Sequence, residues 1–305
     1  MSDEKEKSVA ARMLESNAEL RNISDKSDLF DVLANGKDGK PGLKTVKIDD
    51  EDLYIVEGDT LLDIDQLRAY AIQKEAVNRV RKFAALADEA GLGRSVLVDN
   101  LEGALVGITQ GGRAVRWRPG LVLTYCVLKR TFTTDATNYD LVRENFKEAT
   151  EAWENTCGIK FEHKAELDDS PTIQPPGVIF AVRELDVGGQ FIAAAFFPND
   201  PTNRRRVIID PSYYSSGSFD KVGVLRHEIG HILGFRHEHI RQEAPVACPD
   251  EPLFNTLNLT DFDPVSVMHY LCGGSGTNEL KISELDKIGA QKLYGPPLTS
   301  VQFVD

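Results

Sequence analysis

An α/β fold with a partly parallel sheet is what this sequence predicts, on three observations. Apolar runs of strand length alternate with helical patterns from residue 121 to the end. Hydrophobic residues make up 41% of the 305, ample for a core of that kind. Glycine- and turn-rich stretches separate the runs, and no internal repeat interrupts the alternation.

Residues 1–50 are charged and turn-rich, and "NGKDGKPG" at 35–42 reads as a loop, so the first part of the chain is expected to be loosely ordered. The apolar run "LYIVEGDTLL" at 53–62 follows. From Asp63 to about Ala90 the spacing of Leu67, Tyr70, Ala71, Val77, Val80, Phe83 and Ala84 is helical, and "AGLG" ends it. Residues 95–120 read as short strands and turns, with a domain boundary near Gly111 and Gly112 dividing 1–112 from 113–305. Beyond it "LVLTYCVL" is a strand, and residues 138–156 form a helix with Leu141, Val142, Phe146, Ala149 and Trp153 on one face. "IKFEH", "GVIFAV", "FIAAAFF" and "RRVIID" are further strands. A helix over 219–234 has Ser218 as its expected N-cap, and "SELDKIGAQKLYG" is a last helix stopped by Gly295.

A formal charge of −13 argues against nucleic acid or an anionic membrane as partner. The one dense basic run, Arg204 to Arg206, abuts a strand and reads as its solvated start. No apolar stretch approaches the roughly 20 residues that cross a bilayer, so no membrane insertion is expected. "MSDEKEKSVAARM" lacks the apolar centre of a secretory signal, which leaves localisation undefined and favours a leaderless route of secretion over the cytoplasm. A monomer is expected. Cys126, Cys157, Cys248 and Cys272 can pair in three ways, and no CxxC spacing suggests a structural metal site. A bridge between Cys248 and Cys272 would staple the stretch after the histidine cluster, and the sequence leaves that pairing open.

That cluster, "RHEIGHILGFRHEH" at 226–239, holds four of the six histidines. Residues four apart share a helix face, so His227 and His231 present two imidazoles to one point with Glu228 beside them. Gly234 can adopt a left-handed conformation that ends the helix and brings His237 to the same point. Three neutral histidines leave a fourth position open for water, the arrangement of a catalytic zinc, and Glu228 is placed to take that water's proton and pass it to a leaving amine. His239 and His269 are off register and read as outer-shell or surface residues, and His163 as exposed.

The HExxHxxGxxH pattern, with "SVMHY" at 266–270 as a later methionine turn, resembles the metzincin clan of zinc endopeptidases, and within it the astacin family and related secreted bacterial metalloproteases. The resemblance is dense over about 115–295 and implies a twisted mixed sheet with long helices, a zinc helix and a smaller irregular C-terminal subdomain. It implies His227, His231 and His237 as zinc ligands, Glu228 as general base and acid, Met268 beneath the metal, and Tyr270 as the phenol that binds zinc at rest and swings to stabilise the oxyanion. Glu238 matches the family glutamate that meets the new N-terminus after activation, although Arg241 three residues on is an ordinary partner for it. Where the family continues in an acidic-arginine-acidic triplet this chain reads "HIRQEAPVAC". The related bacterial enzymes also carry a cysteine pair around the methionine turn.

"VEGD" at 56–59 reads as a tight turn at Gly58. It is also similar to the FxGD of astacin propeptides, which implies that Asp59 occupies the metal's open position in a latent form, with residues 1–112 as an inhibitory prodomain. The same resemblance makes Ala193, Ala194 and Ala195 the sheet edge on which an extended substrate is laid. The expectation is a zinc-dependent endopeptidase acting on proteins or peptides, made as a zymogen that its own prodomain inhibits. A non-enzymatic, zinc-stabilised binding module of the same fold is the alternative, and retention of Glu228 argues against it.

Overall fold

The structure, a computed structural model, describes residues 28–89, 105–215, 217–241, 243–245, 247–248 and 256–300. Its contacts divide the chain into two units, one of residues 1–56, 62–102 and 250–254, the other of residues 57–61, 103–249 and 255–305. The turn at 57–61, which contains "EGD", therefore groups with the larger C-terminal unit. Residues 1–27 and 90–104, the expected loose N-terminus and helix stop, lie outside the described residues.

In the first unit, helix α1 (Asp28–Asn35) packs on helix α2 (Ile64–Glu89), and strand β1 (Thr45–Ile48) pairs antiparallel with β2 (Glu51–Val56). Val46, Ile48, Leu53 and Ile55 are buried at alternate positions of the strands, Leu67 and Ala71 are buried four apart on α2, and β2 packs on that helix. Asp63 starts α2 by accepting the amides of Asp65 and Gln66 at 2.8 and 2.7 Å. Strand β3 (Thr60–Leu62) follows the turn.

The second unit opens with β4 (Val106–Gln110) and β5 (Arg113–Ala114), joined at Gly111 and Gly112, whose φ values of +57° and +73° make the two-residue reversal that glycine permits. Thr256–Asn258, β11, pairs with the other side of β4. The main sheet has the order β7-β6-β8-β10-β9, built from β6 (Val122–Val127), β7 (Lys160–His163), β8 (Phe180–Glu184), β9 (Ala193–Ala194) and β10 (Arg206–Ile209). All its pairings are parallel except β9 on β10, where Ile208 faces Ala194 and Ile209 faces Ala193. The mixed α/β reading is therefore what the chain adopts, but "FIAAAFF" contributes only two residues of strand, and Ala195 lies past its end.

Helix α3 (Thr137–Glu154) buries Val142, Phe146, Ala149 and Trp153 against helix α4 (Lys221–Ile232). The indole of Trp153 donates to the Arg226 carbonyl at 2.9 Å, tying the two helices together. The N-cap of α4 is Asp220 rather than Ser218: its carboxylate accepts the Gly223 amide at 2.6 Å, a reach that Ser218, two residues earlier, does not have. Helix α5 (Glu284–Tyr294) begins on the capping box of Ser283 and Asp286 and stops at Gly295. Two expectations of exposure fail. Arg206 is buried where β10 begins, its guanidinium donating to the Asn203 carbonyl at 3.0 Å, and His163 is half-buried, 2.9 Å from the Asp168 carboxylate and stacked on Tyr125.

Cys248 and Cys272 form a disulfide, and Cys126 and Cys157 are free and buried. Among the described residues no helix is long and apolar enough to cross a membrane.

Candidate metal centre

α4 presents His227 and His231 one turn apart, and the chain then reverses at Gly234, φ +91°. A Cβ there would also come within 3.1 Å of the Val115 carbonyl, so both handedness and space require glycine. The reversal delivers His237, whose Nε2 is 3.2 Å from that of His231. Two carbonyls fix the ring orientations: Val267 accepts from His227 Nδ1 and Phe235 from His231 Nδ1, each at 2.8 Å. Both Nε2 atoms are thereby left facing inward, the orientation that outer carbonyl partners impose on ligand imidazoles.

Asp59 meets them from the turn. Its carboxylate lies 3.4 Å from His227 Nε2, 3.6 Å from His231 Nε2 and 3.2 Å from His237 Nε2. These four buried residues bring one ligand atom each within 4.8 Å of one another, a set that could hold a metal ion. The chemistry of the donors fits zinc. Apart from its approach to Asp59, His227 Nε2 is buried without a partner, a costly placement that a cation resolves. Burial pushes His231 down to about 4, which favours the neutral imidazole a metal needs. Burial disfavours the Asp59 carboxylate, yet the charge of His237, with His227 and His231, outweighs it and holds the group well below the usual carboxylate range.

Glu228 is buried beside this cluster, with Oε2 lacking a hydrogen-bond partner. Desolvation, and then the Asp59 charge, raise its pKa well above the ordinary range. It lines a cavity of about 260 Å³ with His227, Asp59, Ala193, Phe219, Val224 and Leu280 among its walls. Tyr270 reaches the centre from the other side and donates its hydroxyl to Asp59 Oδ2. Gly58, φ +89°, lies so near that ring that a Cβ would sit 2.9 Å from the phenol oxygen. Met268 is fully buried below α4, where Gly230 has no side chain to keep its sulfur away.

The structure thus gathers His227, His231, His237, Glu228, Tyr270, Met268 and Asp59 in one place, with Ala193 at its rim. His239 and His269, read as outer-shell or surface, are both buried: His239 stacks on Tyr270 at 4.6 Å, and His269 Nδ1 bonds the Tyr270 carbonyl at 2.6 Å. Glu238 is buried, accepts the Asp263 amide at 2.9 Å and lies 3.5 Å from Arg241; burial pushes its pKa up to about 8. Sequence reading missed Glu57, which pairs with Arg236, and Asp286, whose carboxylate accepts Ser266 Oγ at 2.6 Å and the Val267 amide at 2.8 Å. It also missed Gly230, although a glycine inside a helix, where it costs about 1 kcal/mol, signals a close approach.

The matrixin family of peptidases matches residues 116–247. Stromelysin-1 of Equus caballus is 28% identical over 188 residues, 58% of this chain and 33% of that protein. The dorsal-ventral patterning protein tolloid of Drosophila melanogaster is 26% identical over 141 residues, 41% of this chain and 12% of that protein. The chain thus spans a third or less of the curated relatives it matches. Among solved structures, myroilysin aligns at a TM-score of 0.42 and 18% identity, covering 62% of this chain and 98% of that one. High choriolytic enzyme 1, a hatching enzyme zinc-protease of the Medaka fish Oryzias latipes, aligns at 0.41 and 14%, covering 62% and 99%.

Proposed function

We propose that this chain, whose residues 116–247 match the matrixin family of peptidases, is a zinc-dependent endopeptidase of the metzincin type, acting on proteins or peptides and held latent by its own Asp59. The observation that carries the reading is the meeting of three inward-facing imidazoles and one carboxylate beside a buried glutamate. His227, His231 and His237 would hold the zinc, which supplies Lewis acidity toward water and the substrate carbonyl.

The chain's own residues do the rest. Glu228 takes a proton from the attacking water and returns it to the departing amine, and its dry surroundings suit it to this exchange because burial raises its affinity for a proton. Tyr270 gives up its bond to Asp59 when that carboxylate leaves and can direct its hydroxyl to the oxyanion instead. β9 ends the main sheet, so an extended peptide can add to it as a further strand at Ala193 to Ala195. The apolar walls of the adjoining cavity, Phe219, Val224 and Leu280, receive a substrate side chain and exclude water.

Residues 1–112 serve as the prodomain and 113–305 as the catalytic domain, a twisted mixed sheet and zinc helix followed by a smaller C-terminal subdomain. The exposed turn at Gly111 to Ala114 offers a site for the activating cut, and Glu238 is the carboxylate the new terminus would meet. The active form works as a monomer.

Purified protein should bind one zinc and cleave casein after limited proteolysis, with cleavage abolished by a chelator and restored by zinc. Zinc binding without cleavage of any substrate would refute the enzyme reading and leave a zinc-stabilised binding module.

A further inference from the structure

Arg236 lies between Phe235, whose carbonyl orients His231, and His237. Its guanidinium is paired with Glu57, and the other oxygen of that carboxylate lies 3.6 Å from His237 Nδ1. Glu57 stands two residues before Asp59 on the same turn, with its side chain buried and its backbone left-handed at φ +55°. A residue with a Cβ avoids that conformation and persists in it where its surroundings over-determine it. The apolar cavity beside Glu228 does not include Arg236, so the centre offers two distinct recognition features.

We propose that Arg236 is a specificity-determining residue, selecting substrates that carry an aspartate or glutamate two or three residues from the scissile bond, and that Glu57 imitates this side chain in the latent chain. The inference rests on the endopeptidase reading. Three features carry it. The turn that sets a carboxylate among the histidines sets a second one on Arg236, so the spacing between the two is built into a segment lying where a substrate would lie. The guanidinium is largely buried and gives up its pairing with Glu57 when the turn departs, so an incoming carboxylate can take the place of that pairing. Its planar donors match a carboxylate better than a neutral amide.

The full chain, activated by limited proteolysis, is given a peptide library randomised over three positions on each side of the cleaved bond. The expected outcome is enrichment of Asp and Glu at one position not adjacent to that bond, with kcat/KM about tenfold higher for an Asp peptide than for its Asn twin, the scale of one charge-assisted hydrogen bond. Arg236→Lys should keep a smaller acidic preference, because the charge stays and the planar donors are lost, Arg236→Gln should reduce the ratio to about one, and Arg236→Glu should shift it toward Lys peptides. Ratios are compared within each variant, so a general loss of activity does not mimic the result. Cleavage by the wild type with no acidic preference overturns the proposal, as does a preference that survives in Arg236→Gln. Failure of the wild type to cleave any peptide overturns the endopeptidase reading itself. Should Arg236→Gln not fold, the wild-type library and the Arg236→Lys and Arg236→Glu ratios still decide.

Discussion

The sulfur of Met268 occupies the space that a side chain at position 230 would fill, directly under the helix that carries His227 and His231. Two opposing effects meet there. Alanine in a helix interior is favoured over glycine by about 1 kcal/mol, whereas forcing a methyl group into a packed core costs about 1–3 kcal/mol. Met268 is fully buried, and Trp153 closes the same space at 3.5 Å, so the overlap should win. Gly230→Ala is expected to lower the urea midpoint; an unchanged or higher midpoint would mean that the thioether moves aside freely.

Glu228 ligates nothing in the gathered set, so replacing it separates chemistry from binding. Glu228→Ala should retain stoichiometric zinc, because three imidazoles remain, and lose about a thousandfold or more in peptide hydrolysis. Metal analysis and turnover of the activated variant check both halves. Activity within tenfold of wild type would remove Glu228 from the mechanism.

Asp210 lies behind the edge strand and organises its approach. Its carboxylate accepts the amides of Val187 and Ser212, each at 2.8 Å, and that of Gly189 at 3.3 Å. Burial opposes its ionisation, but the hydrogen bonds from Ser212, Val187 and Gly189 prevail and hold it below the usual carboxylate value. A depressed folded-state pKa gives stability that is present above the unfolded value of about 3.9 and is lost as the pH falls through the folded one. Asp210→Asn should therefore be less stable than wild type at pH 7 by about 1–3 kcal/mol, with the gap closing at the acid end. A gap that stays constant down to pH 2 would mean the charge contributes nothing.

The helix that carries the candidate metal ligands was legible because its information is local: His227 and His231 four apart, Gly234 after them and His237 three further on follow from helix geometry and one left-handed residue. The alternation of strands and helices was legible for the same reason. What stayed hidden lies in pairings across long sequence separations. Arg236 meets Glu57 across 179 residues, and Asp286 reaches the Val267 amide from a helix whose pattern explains it fully as a cap. Burial of His239 and His269 was equally invisible, because histidine's amphipathic side chain carries no periodic signal of its own. The length of β9 failed differently: an apolar run of seven is as consistent with buried loop as with strand, and only the partner β10 limits it to Ala193–Ala194.

Among the described residues β9 pairs with β10 and ends the main sheet, the position at which a further strand can be added. A peptide-based inhibitor bound to the activated protein should make backbone hydrogen bonds with residues of the Ala193–Ala195 stretch, with one side chain in the cavity beside Leu280. Amide exchange at 193–195 should slow in that complex. A peptide seen elsewhere in a crystal of the complex would refute the edge as the substrate platform.

Asp59 approaches all three histidines and accepts from Tyr270, so a single carboxylate holds both the metal position and the phenol assigned to the oxyanion. Uncut protein should for that reason be nearly inactive even toward small peptides. Asp59→Ala removes the carboxylate and leaves Tyr270 without this acceptor, so the uncut variant is expected to gain activity on short fluorogenic peptides. Glu57 and the rest of the turn remain in place, and large substrates such as casein should still be excluded until the chain is cut. Two readouts on one preparation thus separate occupation of the metal position from blockage of the cleft. Equal rates for uncut wild type and uncut Asp59→Ala on the small peptide would show that the carboxylate is not the switch, and that the turn serves only to fill the cleft.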